Sequence, residues 1–240
     1  MKTRILLISD IHANFPALEA LGRQIRVRDF DYIFNCGDSV VYAPFPNETV
    51  QWLRRYNVVS ILGNTDLKVL ILAAGKSFTK PRREEKRIMY TRTLGQLQPE
   101  NLAFLSSLPQ EQHLVIRRHR VCLFHGSPEN AAEHLFNDTP EARFAELAGG
   151  TDCQIIITGH SHTPYHKKVR SVHFINPGSV GRMFDGNPAG SYAVLTLTGN
   201  KVWVEHSRFQ YDIEPVVRAL RKNNLPAIYG EMFLRGRKLN

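Results

Sequence analysis

The stretch that decides the fold is ILLISDIHAN, residues 5–14, in which four apolar residues run directly into a polar segment that contains Asp10 and His12. A short run of aliphatic and β-branched residues is typical of a strand buried on both faces of a sheet. In α/β folds, ligands bind at the carboxyl ends of such strands. The stretch therefore predicts a buried first strand whose carboxyl end carries two groups able to bind a metal.

The same arrangement recurs four more times along the chain. In each case an apolar run is followed by a polar loop, and the runs occupy residues 32–34, 58–62, 121–124 and 155–157. The candidate ligands that follow the five runs are Asp10 and His12, Asp38, Asn64, His125, and His160 with His162. Helical patterns at 16–28 and 48–56 separate the first runs, and this alternation predicts an α/β sheet with right-handed crossovers.

Further elements are predicted on weaker patterns. Residues 67–107 are expected to be mostly helical, and Thr198-Gly199-Asn200 is expected to turn a hairpin between two alternating runs. Asn47 is placed to cap the second helix. A last helix is predicted over 213–222, with a mobile tail at 235–238. No repeat or long linker interrupts the sequence, so residues 1–240 are predicted to form one domain.

Composition narrows the partners and the compartment. The 31 Lys and Arg residues against 22 Asp and Glu residues give a net charge of +9, which favours anionic partners without choosing among them. Three widely spaced cysteines argue against a disulfide framework and favour a reducing cytosolic compartment. No secretory signal is found, and no apolar run approaches the roughly 18 residues needed to span a bilayer. We therefore predict a soluble cytoplasmic protein without a membrane partner.

The seven candidate ligands are oxygen and nitrogen donors without a thiolate, a set that suits Mn, Fe, Zn, Ni, Co or Mg. In an extended or loop segment, the Asp-x-His and His-x-His pairs can each direct two side chains toward one centre. Seven ligands are too many for one four-coordinate ion, so two divalent ions are predicted, with Asp38 as the bridging carboxylate. Two such ions clamp a phosphoryl oxygen and activate a bridging hydroxide for in-line attack on phosphorus.

Each ligand taken alone has a simpler explanation, because a single Asp or His at a strand end is usually a cap or a satisfied polar group. The set is different. Seven donors at five successive strand ends, with a glycine or serine at each of the five ends, are hard to obtain by chance.

These motifs resemble the pattern of the calcineurin-like metallophosphoesterase family, which is D-x-H, G-D, G-N-H-[DE], a lone His after a strand, and G-H-x-H. Here the five elements are Asp10-Ile11-His12, Gly37-Asp38, Gly63-Asn64-Thr65-Asp66, His125-Gly126 and Gly159-His160-Ser161-His162. SDIHAN at 9–14, ALEAL at 17–21 and INPGSVG at 175–181 look like the small prokaryotic phosphodiesterase-like branch. The similarity extends over nearly the whole chain.

The resemblance implies a four-layer αββα sandwich with the metals at one edge. It also implies two ligand sets that share one carboxylate. The first ion would be held by Asp10, His12, Asp38 and His162, and the second by Asp38, Asn64, His125 and His160. Catalytic roles are expected for Asp38, Asn64 and His125.

The chain departs from the family pattern at two places. Thr65 stands where the family has a His near the leaving group. A threonine hydroxyl does not titrate near neutrality, so it cannot replace the histidine as a proton donor. We therefore expect substrates whose leaving group needs little help, namely aryl esters, phosphoanhydrides or strained cyclic nucleotides. The second departure follows Asp38, where this chain has Ser-Val-Val-Tyr instead of the Asp-Arg-Gly triplet of protein Ser/Thr phosphatases. This difference argues against a protein phosphatase of that type.

The favoured function is a metal-dependent phosphodiesterase acting on small phosphoesters or nucleotides, with manganese among the candidate ions. The alternatives are a dinucleoside polyphosphate hydrolase, a phosphomonoesterase or, from another class, a non-catalytic scaffold on the same fold. Nucleic acid stays open as a substrate class only, and the oligomeric state stays open too. Substrate contacts are predicted at Asn14, Thr65, Asp66 and Arg182, and His134 follows the His125 loop closely enough to line the site.

Overall fold

The computed structural model describes residues 2–240. Its strands, in chain order, are β1 (Lys2–Ile8), β2 (Tyr32–Asn35), β3 (Val59–Ser60), β4 (Glu111–Ile116), β5 (His119–Phe124), β6 (Ile155–Ile157), β7 (Tyr165–Val169), β8 (Val172–Asn176), β9 (Gly190–Thr198) and β10 (Lys201–Phe209). They form two five-stranded sheets, with the orders β10-β9-β1-β2-β3 and β4-β5-β6-β8-β7. Strands β1, β2 and β3 run parallel, as do β5, β6 and β8, whereas the strands at the other positions pair antiparallel.

The helices lie on the outer faces of the sheets and above one edge. They are α1 (Phe15–Gln24), α2 (Pro46–Arg55), α3 (Asn64–Ala73), α4 (Glu84–Gln96), α5 (Pro99–Ser107), α6 (Glu141–Gly149), α7 (Glu214–Lys222) and α8 (Ile228–Arg235). The five loops that carry the candidate ligands, which we call the ligand loops, follow β1, β2, β3, β5 and β6. All five are carboxyl ends of parallel strands, which is where the sequence places the site.

Four layers arise from the alternation of side chains along the strands. In β1, Ile5 and Leu7 point into a core shared with Val121 and Leu123 of the second sheet. The intervening Leu6 and Ile8 pack instead against α1 and α2. On the far side, α6 covers the outer face of the second sheet through Phe144 and Leu147. The αββα sandwich expected from the sequence is confirmed.

A fourth apolar cluster lies outside the sandwich and caps the edge where the ligand loops meet. It joins α3, α4 and α5 with α7, α8 and the loop at 40–43. Tyr90, Tyr229 and Phe233 are buried in it. The cap therefore brings residues from two distant parts of the chain next to the ligand loops.

Several elements match their predictions, including the helical middle region, the β9–β10 hairpin and α7. Asn47 does not cap α2, because Pro46 occupies the first turn and the Asn47 amide reaches across to Gln96 and Gln98 instead. Helix α8 and the β7–β8 hairpin were not predicted. The tail at 235–238 is held rather than free, since Gly236 accepts a hydrogen bond from the backbone of Gly186.

The cysteine prediction is wrong. Cys122 in β5 and Cys153 just before β6 form a disulfide, with their Cα atoms 6.1 Å apart. They are 31 residues apart in the sequence and become neighbours because β5 and β6 pair in parallel. Cys36 is buried and unbonded. The cysteine count consequently no longer supports a reducing compartment, and the cytoplasmic location stays a prediction. Among residues 2–240, no helix is both long and apolar enough to span a membrane.

Candidate metal centre

The donor side chains converge in two clusters at the capped edge. One cluster contains Asp10, His12 and His162, and the other contains Asp38, His125 and His160. Within each cluster the ligand atoms lie within 4.8 Å of one another. Asn64 belongs with the second, because its Oδ1 lies 3.1 Å from His125 Nε2. The structure therefore brings all seven predicted ligands together.

The first cluster is buried and contains more hydrogen-bond acceptors than donors. Asp10 Oδ1 lies 3.2 Å from His162 Nε2, and the Nε2 atoms of His12 and His162 are also 3.2 Å apart. Asp10 Oδ1 and His12 Nδ1 have no hydrogen-bond partner although both are buried. Buried polar atoms are normally paired, so this pattern fits a site built for a cation.

The second cluster shows the same excess of acceptors. His125 Nε2 lies 3.1 Å from His160 Nδ1 and 3.5 Å from Asp38 Oδ1. The amide oxygen of Asn64 faces these imidazole nitrogens, although the reversed amide would donate hydrogen bonds to both histidines. Only the present orientation of the Asn64 amide directs an oxygen to a cation bound between Asn64, His125 and His160.

Asp38 connects the two clusters. Its Oδ2 lies 3.7 Å from His12 Nε2, and its Oδ1 lies 3.5 Å from His125 Nε2. Oδ1 also accepts a hydrogen bond of 2.8 Å from the backbone N–H of Thr65, which fixes the carboxylate plane. One carboxylate therefore faces both sets of donors.

Backbone carbonyls set the tautomers of two histidines. Nδ1 of His125 lies 2.8 Å from the carbonyl oxygen of Cys36, and Nδ1 of His162 bonds to the carbonyl of Arg182. Because a carbonyl only accepts, each Nδ1 must be the donor, which leaves the Nε2 lone pair directed into the cluster. This is the usual arrangement behind a metal-binding histidine.

Burial keeps two other histidines neutral. Desolvation, reinforced by His162, holds the pKa of His12 well below its ordinary value. Desolvation and the nearby His125 lower the pKa of His160 to about 3. Burial raises the pKa of Asp10, but His162, His125 and His12 together outweigh burial, and the pKa is lowered. A deprotonated imidazole and an ionised carboxylate are the forms that bind metals.

The ligand loops adopt a conformation that the sequence did not predict. The left-handed backbone region is occupied by Asp10, His12, Asp38, His160 and His162, with φ values of 52°, 54°, 52°, 64° and 56°. Non-glycine residues adopt this region at a cost of about 1–2 kcal/mol each. The paired ligands therefore converge through left-handed turns rather than through the alternation of an extended strand. Such strain is concentrated at functional sites.

Two glycines allow the loops to approach each other. A Cβ on Gly63 would overlap the backbone and carboxylate of Asp38, and a Cβ on Gly159 would overlap the Ser9 hydroxyl. The Gly159 Cβ would also lie 2.8 Å from Asp10 Oδ2. These positions in the G-N and G-H motifs are thus needed for the ligands to fit.

Two of the predicted substrate contacts have other roles in this structure. Asn14 caps α1 by accepting from the backbone of Ala17, and it donates to Gly181 and Tyr211. Asp66 accepts backbone hydrogen bonds from Ser39, Val40 and Gly63, which tie the loop after β2 to the start of α3. Both side chains are fully buried and occupied within the protein.

The other two predicted contacts line a cleft of about 100 Å³ that opens over the clusters, which we call the metal cleft. Thr65 lies in its wall, but its hydroxyl donates to the carbonyl of Val40. Arg182 also lines it and is only 7% exposed. Besides ligands and these two residues, the metal cleft is lined by Tyr42, Lys86, His134, Phe184 and Lys238.

Most of these additional residues carried no sequence signal. Tyr42 and Phe184 lie in loops without a motif. Only the structure shows that Tyr42 packs against Arg182 and that Phe184 stacks on His162. Lys86 and Lys238 occur in charged stretches that are typical of a solvated surface. His134 is the exception, since its position after the His125 loop predicted its location, and its ring centroid lies 3.9 Å from that of His160.

Comparisons with known proteins find relatives that cover nearly the whole chain. Residues 3–200 match the model of the calcineurin-like phosphoesterase superfamily domain. An uncharacterized protein of Methanocaldococcus jannaschii is 33% identical over 254 residues, covering 99% of this chain and all of the relative. A metallophosphoesterase from Sphaerobacter thermophilus is 28% identical with a TM-score of 0.77, covering 98% of this chain and 99% of that one. A hypothetical protein from Pyrococcus horikoshii shares the fold with a TM-score of 0.88 at 17% identity, with the same coverage.

Proposed function

The chain belongs to the calcineurin-like phosphoesterase superfamily, and from this premise we propose that it is a dinuclear metal-dependent hydrolase of phosphodiester or nucleotide-type substrates. The observation that carries the proposal is Asp38, whose two carboxylate oxygens face separate donor clusters. A carboxylate in this position suits a bridging ligand better than a single-ion ligand. The cap helices close over the edge of the sandwich that carries the donor clusters, which supports one domain over residues 1–240.

The donor sets support two ions of the hard-to-borderline class, such as Mn, Fe, Zn, Ni, Co or Mg. One would be held by Asp10, His12 and His162, and the other by Asn64, His125 and His160, with Asp38 shared. Two such ions, when bound, supply charge for the phosphoryl oxygens and lower the pKa of a coordinated water. The chain keeps His12 and His160 deprotonated through burial, and the carbonyl of Cys36 turns Nε2 of His125 toward the cluster.

Arg182 is proposed as the residue that binds the substrate phosphate. Its guanidinium lies 3.9 Å from the centre of the Tyr42 ring, and Nη2 donates to Met232 Sδ at 3.1 Å. Nε has no partner, and no carboxylate among residues 2–240 forms an ion pair with it. A buried cation is normally paired with an anion. In this proposal, the substrate phosphate that enters the metal cleft is the anion that pairs with Arg182.

The function is tested by removing and restoring the metal. Protein stripped with a chelator should be inactive, and added Mn²⁺ should restore hydrolysis of bis(p-nitrophenyl) phosphate at a rate above that of p-nitrophenyl phosphate. The reverse preference would favour a phosphomonoesterase. Two bound Mn²⁺ per chain without turnover on either ester, or on a dinucleoside polyphosphate, would contradict the proposal and favour a scaffold role.

Thr65 leads to a prediction about leaving groups. Because its hydroxyl is bonded to Val40, it cannot protonate a departing alkoxide, and loss of a general acid typically costs about 10²–10⁴-fold. We expect rates on a series of aryl and alkyl phosphodiesters to fall steeply as the pKa of the leaving group rises. Comparable rates on aryl and alkyl diesters of equal charge would show that another residue supplies the proton.

A further inference from the structure

Two lysines from distant parts of the chain lie at the metal cleft. Lys86 comes from the first turn of α4, and Lys238 comes from the tail after α8. Both line the metal cleft together with Arg182, so three cationic side chains surround one opening. None of the five ligand motifs contains either lysine.

The tail that carries Lys238 has a defined position. Gly236 accepts a hydrogen bond of 2.9 Å from the backbone of Gly186, and Arg237 donates to the carbonyl of Met232. Gly236 adopts a φ of 56°, and a Cβ there would lie 2.6 Å from the backbone of Asn187. At the end of the tail, Asn240 bonds to the hydroxyl of Tyr229. These contacts hold Lys238 at the opening.

Within the described part of the chain, none of the three cations is ion-paired, although Asp38 also lines the metal cleft and Glu85 raises the pKa of Lys86 against the larger lowering effects. Among residues 2–240, no carboxylate oxygen lies within ion-pair distance of either lysine or of Arg182. Burial, with the neighbouring charges of Lys238 and Arg182, lowers the pKa of Lys86. Like charges brought together in this way repel one another, and a bound anion would relieve the repulsion.

The volume of the metal cleft limits what it can enclose. At about 100 Å³ it is far smaller than the roughly 300–1,000 Å³ of pockets that enclose a drug-sized ligand. Space for the reacting phosphate is therefore available over the donor clusters, and the remainder of a substrate must lie at the opening. Lys86 is half-buried and Lys238 is exposed, so both lie on the solvent side of the metal cleft, where that remainder would be.

We propose that Lys86 and Lys238 form a second anion subsite, which binds a phosphate linked to the one that reacts. The substrate class is then a nucleotide or other compound with at least two linked phosphates, rather than a simple diester with a single charge. This inference rests on the proposed function for the identity of the reacting site. It goes further by assigning substrate selection to α4 and the C-terminal tail.

Binding of inorganic pyrophosphate and orthophosphate provides the test. Both are titrated calorimetrically into Mn²⁺-loaded protein at a fixed free Mn²⁺ concentration. The wild type should bind pyrophosphate at least tenfold more tightly than orthophosphate. A charge-assisted contact contributes enough for about tenfold in affinity, so Lys86→Gln/Lys238→Gln should weaken pyrophosphate by about 10²-fold. Orthophosphate, held by the metals and Arg182, should change less than about threefold.

Lys201→Gln is the matched control, since it removes the same charge at the start of β10, the edge of the sheet opposite the donor clusters. It should leave both affinities unchanged. An unaltered ratio of pyrophosphate to orthophosphate affinity in the double variant would overturn the subsite. Because this readout needs no turnover, an enzyme that hydrolyses no ester but keeps a lysine-dependent pyrophosphate preference would refute the proposed function and leave the subsite standing.

Discussion

Asp38→Ala is expected to lower kcat/KM for an aryl phosphodiester by about 10³-fold or more, because metal-ion stabilisation of the reacting phosphate is worth several kcal/mol. Asp38 faces both donor clusters through separate oxygens. Its loss should therefore weaken both ions, and the variant should retain fewer than two Mn²⁺ per chain at concentrations that saturate the wild type.

The matched control is Asp29→Ala, which removes an exposed carboxylate from the short 3₁₀ turn before β2, away from the donor clusters. It should leave both metal content and kcat/KM unchanged. Circular dichroism separates loss of metal from loss of fold, since apo wild type and apo variant should give the same spectrum. An Asp38→Ala protein that keeps two Mn²⁺ and full turnover would show that the two clusters do not share this carboxylate.

Arg182→Met is expected to move activity and stability in opposite directions. The buried guanidinium has no carboxylate partner, and replacing an unpaired buried charge by an apolar side chain of similar length should raise the free energy of unfolding of the metal-free protein by about 1–3 kcal/mol. The contact with the Tyr42 ring offsets part of this gain. The same change should lower kcat/KM by about 10²-fold, because a charge-assisted bond to the phosphate is lost.

Denaturant unfolding of metal-free protein and steady-state kinetics of the Mn²⁺-loaded protein measure the two effects. Arg182→Lys keeps the charge and loses the planar fork, so it should recover part of the activity without the gain in stability. A less stable Arg182→Met variant with normal kinetics would mean that the guanidinium serves the packing of Tyr42, Phe184 and Tyr229 rather than the substrate.

The layers and the convergence of the candidate ligands were predictable because they depend on local patterns. Continuous apolar runs predicted the buried parallel strands, and the residues directly after Ile8, Asn35 and Ile157 lie at carboxyl ends that the topology brings to one edge. The left-handed turns at the ligands were not predictable, since only the surrounding hydrogen bonds, such as those from Asp10 to Gly37 and from His12 to Asp38, stabilise them.

The features that were missed depend on long-range contacts. The disulfide forms because β5 pairs with β6, and the number and spacing of the three cysteines do not predict that pairing. The substrate contact of Asp66 stays a prediction, but its hydrogen bonds to three backbone N–H groups of two loops were not predicted. Lys86 and Lys238 lie in charged stretches of sequence that are typical of a solvated surface. Only the packing of α4 and α8 in the cap brings them to the metal cleft.

The central claim is that two ions share Asp38, and anomalous diffraction from crystals of the Mn²⁺-loaded protein tests it most directly. Two peaks are predicted about 3.5–4 Å apart, which is the spacing of two-metal phosphoesterase sites. One should lie among Asp10, His12 and His162, and the other among Asn64, His125 and His160, with Asp38 in contact with both. A single peak, or two peaks that leave Asp38 uncoordinated, would contradict the account.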